Sequence, residues 1–144
     1  MKKLAGIVVL VCLIFSLTAC GGKLSEEFEE KEVKEAAEEM VNLINEGKLS
    51  EVYEDSFIPV LKNSVELEEL QETVDYVLDK LGEFQSFEKV QVKGVKDKNT
   101  GTQYATAVVL AKYEEGNAMF TISFDTDMMC AGFFICLLYT SPSP

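Results

Sequence analysis

Residues 64–84, SVELEELQETVDYVLDKLGEF, decide the fold class. Leu67, Leu70, Val74, Val77, Leu78 and Leu81 recur at steps of three and four, which places them on one face of an α-helix. Ser64 stands ahead of them as a candidate N-cap, and Glu66, Glu68 and Glu69 put acid where the helix dipole favours it. Gly82 is placed to close the helix. Beyond Gly82 the apolar period shortens from that of a helix to that of a strand, so the chain changes from helical to extended structure at this point.

Upstream of this switch the helical period continues. Val33, Ala37, Met40, Val41 and Ile44 predict a helix over about 26–46, with Ser25 as N-cap, an acidic first turn and Gly47 as C-cap. Ser50 is placed to cap a short second helix that contributes Val52, Tyr53 and Phe57, and Pro59 is expected to end it. Downstream, four strands are predicted. The first spans about 85–96, with Val90 and Val92 inward, and the Gly94-Val95 pair suggests a β-bulge. Asp97 to Gly101 makes a turn, and a second strand runs over about 102–113. After a turn at Glu115-Gly116-Asn117, Ala118, Phe120, Ile122 and Phe124 alternate with Met119, Thr121 and Ser123, the pattern of a strand wet on one side. Asp125-Thr126-Asp127 turns into a last strand, Met128 to Ile135. Helices first and strands afterwards predict an α+β fold, with two or three N-terminal helices packed on one face of a curved four-stranded antiparallel meander. Leu70, Val74, Val77, Leu81, Phe120, Ile122 and Phe124 are expected to share one core.

The first twenty residues carry a different signal. Lys2 and Lys3 precede an apolar run from Leu4 to Leu17, and Leu17-Thr18-Ala19-Cys20 follows. A basic start, a short apolar stretch and a small residue are the layout of a secretory signal peptide. The run falls short of the roughly 20 apolar residues that a spanning helix needs. The cysteine directly after Ala19 resembles the lipobox of bacterial lipoproteins. That resemblance implies that residues 1–19 are removed, that the Cys20 sulfur carries a diacylglyceryl group, and that residues 20–24 form a lipidated tether. Its membrane partner is then the extracytoplasmic face of the bacterial cell membrane. Two acyl chains such as palmitate, at about 0.8 kcal/mol per buried methylene, hold a protein stably where one does not.

Composition narrows the chemistry. The 144 residues have a formal charge of −12 and contain no histidine and no tryptophan. The missing histidine excludes Ser-His-Asp and Cys-His catalysis, histidine-ligated zinc and a histidine pH switch. An acidic chain with no basic stripe in its sequence is not expected to bind nucleic acid. Asp97-x-Asn99-x-Gly101 resembles the start of a calcium loop, but position twelve is Val108, so it reads as a turn. Asp125 and Asp127 read as turn acids in the same way. No metal or cofactor is expected. Once Cys12 leaves with the signal peptide and Cys20 is lipidated, Cys130 and Cys136 remain. Six extended residues separate them by about 20 Å, so they are expected to be buried free thiols.

The mature chain is similar to a family of small bacterial lipoprotein domains of unknown function, DUF3887. The similarity rests on Val41-Asn42-Leu43-Ile44-Asn45-Glu46-Gly47-Lys48, on Val52-Tyr53-Glu54, on Leu81-Gly82-Glu83-Phe84, and on Phe120 to Asp125 running into Ala131-Gly132-Phe133-Phe134. It implies an NTF2-like or cystatin-like fold, in which a sheet wraps a helix and can enclose a cavity. Residues 25–135 form the domain on this reading. Residues 136–144 depart from the pattern and resemble translated sequencing-adapter sequence, so they are expected to form an unstructured tail, with order, if any, only as far as about Tyr139, where Leu137, Leu138 and Tyr139 can prolong the last strand.

The candidate site follows from the second strand. Ala105, Ala107 and Ala111 are small, and small side chains leave room for a ligand under the long helix. Tyr53, Tyr104 and Tyr113 are candidates for its polar rim. The expected function is a membrane-anchored, non-catalytic binding or interaction module with a small-molecule or protein ligand. The alternative is a small hydrolase or isomerase using a carboxylate in such a cavity, or an accessory domain to a hydrolase.

Overall fold

A computed structural model describes residues 23–138. The expectations for the signal peptide (1–19), its Leu17-Thr18-Ala19 cleavage site, the lipidated Cys20 and residues 139–144 lie outside the described residues. Helices α1 (Glu30–Asn45), α2 (Leu49–Ser56), α3 (Pro59–Ser64) and α4 (Leu67–Leu81) precede strands β1 (Phe84–Lys96), β2 (Gln103–Tyr113), β3 (Gly116–Phe124) and β4 (Cys130–Leu138). The strands form one antiparallel sheet in the order β1-β2-β3-β4, a meander. This is the α+β architecture that the periodicity predicts.

The helix stripes are where the sequence puts them, while several boundaries differ. Val33, Ala37, Met40, Val41 and Ile44 of α1 are buried, as are Leu70, Val74, Val77 and Leu81 of α4. Gly47, at φ 84°, follows α1. Its N–H donates to the Ile44 carbonyl (3.1 Å) and the Lys48 N–H to the Leu43 carbonyl (2.9 Å), which satisfies carbonyls that a helix end leaves orphaned. The first helix starts at Glu30 rather than near 26, because Ser25 organises a separate turn that buries Phe28. Pro59 does not only end a helix. It begins α3, since its fixed φ and missing N–H suit a first helical position. Ser64, expected to start the last helix, ends α3 instead. Its hydroxyl donates back to the Val60 carbonyl (3.0 Å), and α4 begins at Leu67.

The sheet has an inner face under the helices and an outer face. Ala105, Ala107, Val109 and Ala111 of β2 and Ala118, Phe120, Ile122 and Phe124 of β3 are buried against the helices. Alanines on the central strand bring the helix backbone close to the sheet, and Phe120 and Phe124 fill the space beside them. The register of β1 shifts at Gln85 and at Glu88, so that Phe84, Phe87 and Val90, three residues apart, all reach the inner side. The bulge expected at Gly94 is absent, and Gly94 pairs with Ala105 in regular register. Its role is clearance. A Cβ there would meet the backbone carbonyl of Lys23 and come within 2.9 Å of Leu24 Cα. The N-terminal segment therefore lies directly on β1, with Leu24 packed against the core. At the other end, β4 continues to Leu138, three residues past the expected domain boundary. Leu137 opposite Ala118 still has the core to pack on.

Two buried tyrosine hydroxyls are bonded across elements, while Asn45 Nδ2 is buried without a partner among the described residues. The Tyr53 hydroxyl lies 2.7 Å from the Val65 carbonyl and 3.0 Å from that of Lys62, which fastens α2 to the end of α3. The Tyr113 hydroxyl donates to Asn45 Oδ1 at 2.6 Å, joining β2 to the last residue of α1. Burial pushes the Tyr113 hydroxyl from 10.0 up to about 12 and the Cys130 thiol from 9.0 up to about 12. Both groups hold their protons more tightly folded than unfolded, so their contribution is intact below about pH 9 and is lost as the pH rises through the window to about 12. The melting temperature is expected to fall across that window, and Tyr113→Phe to remove part of the slope. A flat profile between pH 9 and 12 would contradict the burial of both groups.

Candidate functional site: the outer face of the sheet

The four helices lie on the inner face, and among the described residues nothing lies over the outer one. Cross-strand rows on it follow the register: Gln91, Val108, Thr121 and Phe134; Lys89, Leu110, Met119 and Cys136; Lys93, Thr106, Ser123 and Gly132. Val108, Leu110, Met119 and Cys136 are half-buried by their neighbours in the sheet, and Phe134 is 62% exposed. The face therefore carries apolar side chains on β2 and β4, at Val108, Leu110, Phe134 and Cys136, divided by β3, whose outward residues are Asn117, Met119, Thr121 and Ser123.

On β2, β3 and β4 the third row has small side chains, Thr106, Ser123 and Gly132, and forms a recess of about 200 Å³ walled by Val95, Tyr104 and Ala131. At its floor the hydroxyls of Thr106 and Ser123 lie 2.8 Å apart. The pair satisfies each other while leaving lone pairs and one proton free for a further partner. A second hollow of about 180 Å³ lies between α1, α2 and the β3–β4 turn, where Met40, Val52 and Phe124 form walls and Glu39 and Ser56 a polar rim.

The six residues proposed for a cavity are not brought together, Ala111 being buried with the other two alanines. Ala105 and Ala107 are fully covered by the helices, and Tyr53 and Tyr113 are core residues with bonded hydroxyls. Tyr104 lies on the other side of the sheet, at the recess. The reason is parity: positions 104 and 105 of one strand point to opposite faces. The turn acids are structural. Asp97 Oδ1 accepts the N–H groups of Asn99 (2.7 Å) and Thr100 (3.2 Å), and Asp125 Oδ1 those of Asp127 (2.9 Å) and Met129 (3.0 Å). Among the described residues no three of His, Cys, Asp and Glu gather as metal ligands. Cys130 and Cys136 are both free; Cys130 is buried and Cys136 lies half-buried on the outer face. The apolar side chains of the outer face were not foreseen from the alternation in β3. Their signal lies in the unbroken runs Val108-Val109-Leu110 and Phe133-Phe134, which place apolar side chains on both sides of a strand.

The family model of DUF3887, a protein of unknown function, matches residues 37–133. The chain is also similar to a protein from Ruminococcus gnavus ATCC 29149 whose structure was solved by NMR. That protein is 29% identical, with a TM-score of 0.67, and the match covers 78% of this chain and 95% of that one. No curated protein matches the chain.

Proposed function

We propose that this chain, which belongs to the DUF3887 family, is a lipid-anchored extracytoplasmic binding module that makes its contacts through the outer face of its sheet. The observation that carries the binding role is that face: free of helices among the described residues, with Val95 and Phe134 exposed and the Thr106–Ser123 hydroxyl pair at the floor of a recess. An open face with exposed apolar side chains, in a soluble domain, marks a place of interaction. The anchoring rests on the order Lys2-Lys3, apolar run, Leu17-Thr18-Ala19-Cys20. No described helix is long and apolar enough to cross a membrane, so the acyl chains on Cys20 would supply the attachment.

Two measurements test the two halves. Expressed in a bacterium, the wild-type chain is expected in the membrane fraction with the mass of a diacylglyceryl cysteine, and Cys20→Ala without that mass. An unmodified wild-type chain recovered from the cytosol would overturn the anchoring. In amide-shift mapping of the Cys20→Ala chain against envelope components, perturbations are expected at Val95, Tyr104, Thr106 and Ser123. Perturbations confined to the helices would overturn the choice of surface.

A further inference from the structure

The helices carry about half of the acid, while the four strands carry Lys89, Lys93, Lys96 and Lys112 and a single acid, Glu88; Glu83, Asp97, Glu114, Glu115, Asp125 and Asp127 sit in the turns at the strand ends. By register, Lys89, Lys93 and Lys112 belong to the outer face, beside Leu110, Thr106 and Asn117, with Glu88 in the bulge next to Lys89. None of the three is in an ion pair among the described residues. The outer face is thus a lysine-edged surface of mixed apolar and hydroxyl side chains on a chain of charge −12. The helical acids stand behind it by at least a helix thickness, about 10–12 Å, beyond the screening length of about 8 Å at physiological salt. Their repulsion of an anionic surface in front of the sheet is therefore largely screened.

The attachment point lies at the β1 edge of this surface, on the helix side of the strand, because Gly94 pairs with the inward-facing Ala105. Lys23 and Leu24 rest on Gly94 of β1, and three residue steps separate Lys23 from Cys20. Three extended steps reach at most about 11 Å. An acyl group on Cys20 therefore keeps the edge strand within reach of the bilayer, and the lysines on the outer side of that strand, Lys89 and Lys93, select the face that meets it. We infer that the outer sheet face lies on the anionic bilayer to which the chain is tethered, with its lysines among lipid phosphates and Phe134, Met119 and Tyr104 at the interface. Aromatic side chains suit that depth, with an apolar body and, for tyrosine, a polar tip. This inference rests on the anchoring reading above for its orientation. The lysine edge disfavours the other natural occupant, a second copy of the same face.

The chain contains no tryptophan, so Phe134→Trp gives a single fluorescent reporter on an exposed position. The lipidated full chain carrying F134W is reconstituted in vesicles of phosphatidylglycerol with phosphatidylcholine, and in phosphatidylcholine alone. The expected result is blue-shifted emission quenched by brominated lipid in the anionic vesicles, and water-like emission in the neutral ones. The same reporter in the Cys20→Ala chain, added to preformed vesicles, is expected to partition into anionic ones in a salt-dependent manner. Replacing Lys89, Lys93 and Lys112 by Gln should weaken that partitioning about a hundredfold, from the contribution of a lysine near an anionic surface. Water-like emission from both chains in anionic vesicles would overturn the inference, even where the intact mass shows the lipid in place. Loss of anchoring reads separately, as a wild-type chain without the lipid mass. A blue shift that grows with protein concentration and needs no lipid would assign the face to a second copy and also overturn it.

Discussion

Val74→Asp is expected to lower the stability of the domain by about 4 kcal/mol or more, enough to unfold a large part of the population of a domain of ordinary stability. Val74 is 1% exposed, in the middle of α4 and surrounded by the core that α4 shares with β3. The substitution removes an apolar contact worth about 1.5–3 kcal/mol and inserts a carboxylate with no partner, which must remain charged without water or take up a proton to stay buried. Tyr76→Asp is the matched control. It introduces the same side chain two residues along the same helix, where the position is 59% exposed. It loses only the contact of Lys80 with the Tyr76 ring, and its effect should stay within about 0.5 kcal/mol. Urea denaturation of the two variants measures the difference. Equal midpoints would mean that the phase of α4 is wrong.

The second large effect is expected at Gly94. Gly94→Val should cost about 1–3 kcal/mol, the range for forcing extra methyl groups into a packed site. The new side chain would collide with the backbone of Lys23 and Leu24, and backbone cannot rotate away as a side-chain tip can. The N-terminal segment must lift off β1, and Leu24 loses its place on the core. Hydrogen exchange at residues 23–28 should accelerate in this variant and remain slow in Gly132→Ala. A Cβ at Gly132 meets Ser123 Cβ at 3.5 Å, an ordinary contact. Unchanged exchange in Gly94→Val would show that the segment is not held there.

The parts of this fold that were legible in the sequence depend on one strong local signal each. The α4 stripe and the alternation of β3 are long, regular and interrupted by nothing, so Leu70, Val74, Val77, Leu81, Phe120, Ile122 and Phe124 were placed correctly in one core. Punctuating residues were harder to interpret, since each has several physical uses. Pro59 can follow a helix or open one, and Gly94 can mark a bulge or a close approach. Which applies is settled by a partner distant in sequence, here Lys23 for Gly94. The candidate site failed for a different reason. Tyr104 and Ala105 were assigned to one cavity although the two-residue period of a strand separates them. Parity alone would have sent Tyr104 to the outer face, where the recess is.

The bond between Tyr113 and Asn45 spans 68 residues, and this sets a clock on synthesis. A chain leaving the ribosome at about 5–20 residues per second delivers Tyr113 roughly 3–14 s after Asn45. Helices form and melt within about a microsecond, so α1 has millions of opportunities to form before the sheet that covers its apolar stripe exists. The meander does not shorten that wait, because each of its hairpins closes locally but the helical layer packs on all four strands. Phe57 bridges Cys130 at the start of β4, which extends the wait further. For most of its synthesis the nascent chain is therefore an acidic polymer with exposed apolar stripes, kept soluble by the glutamates that flank them. The acid on α1 and α4 has its use before the domain exists as well as after.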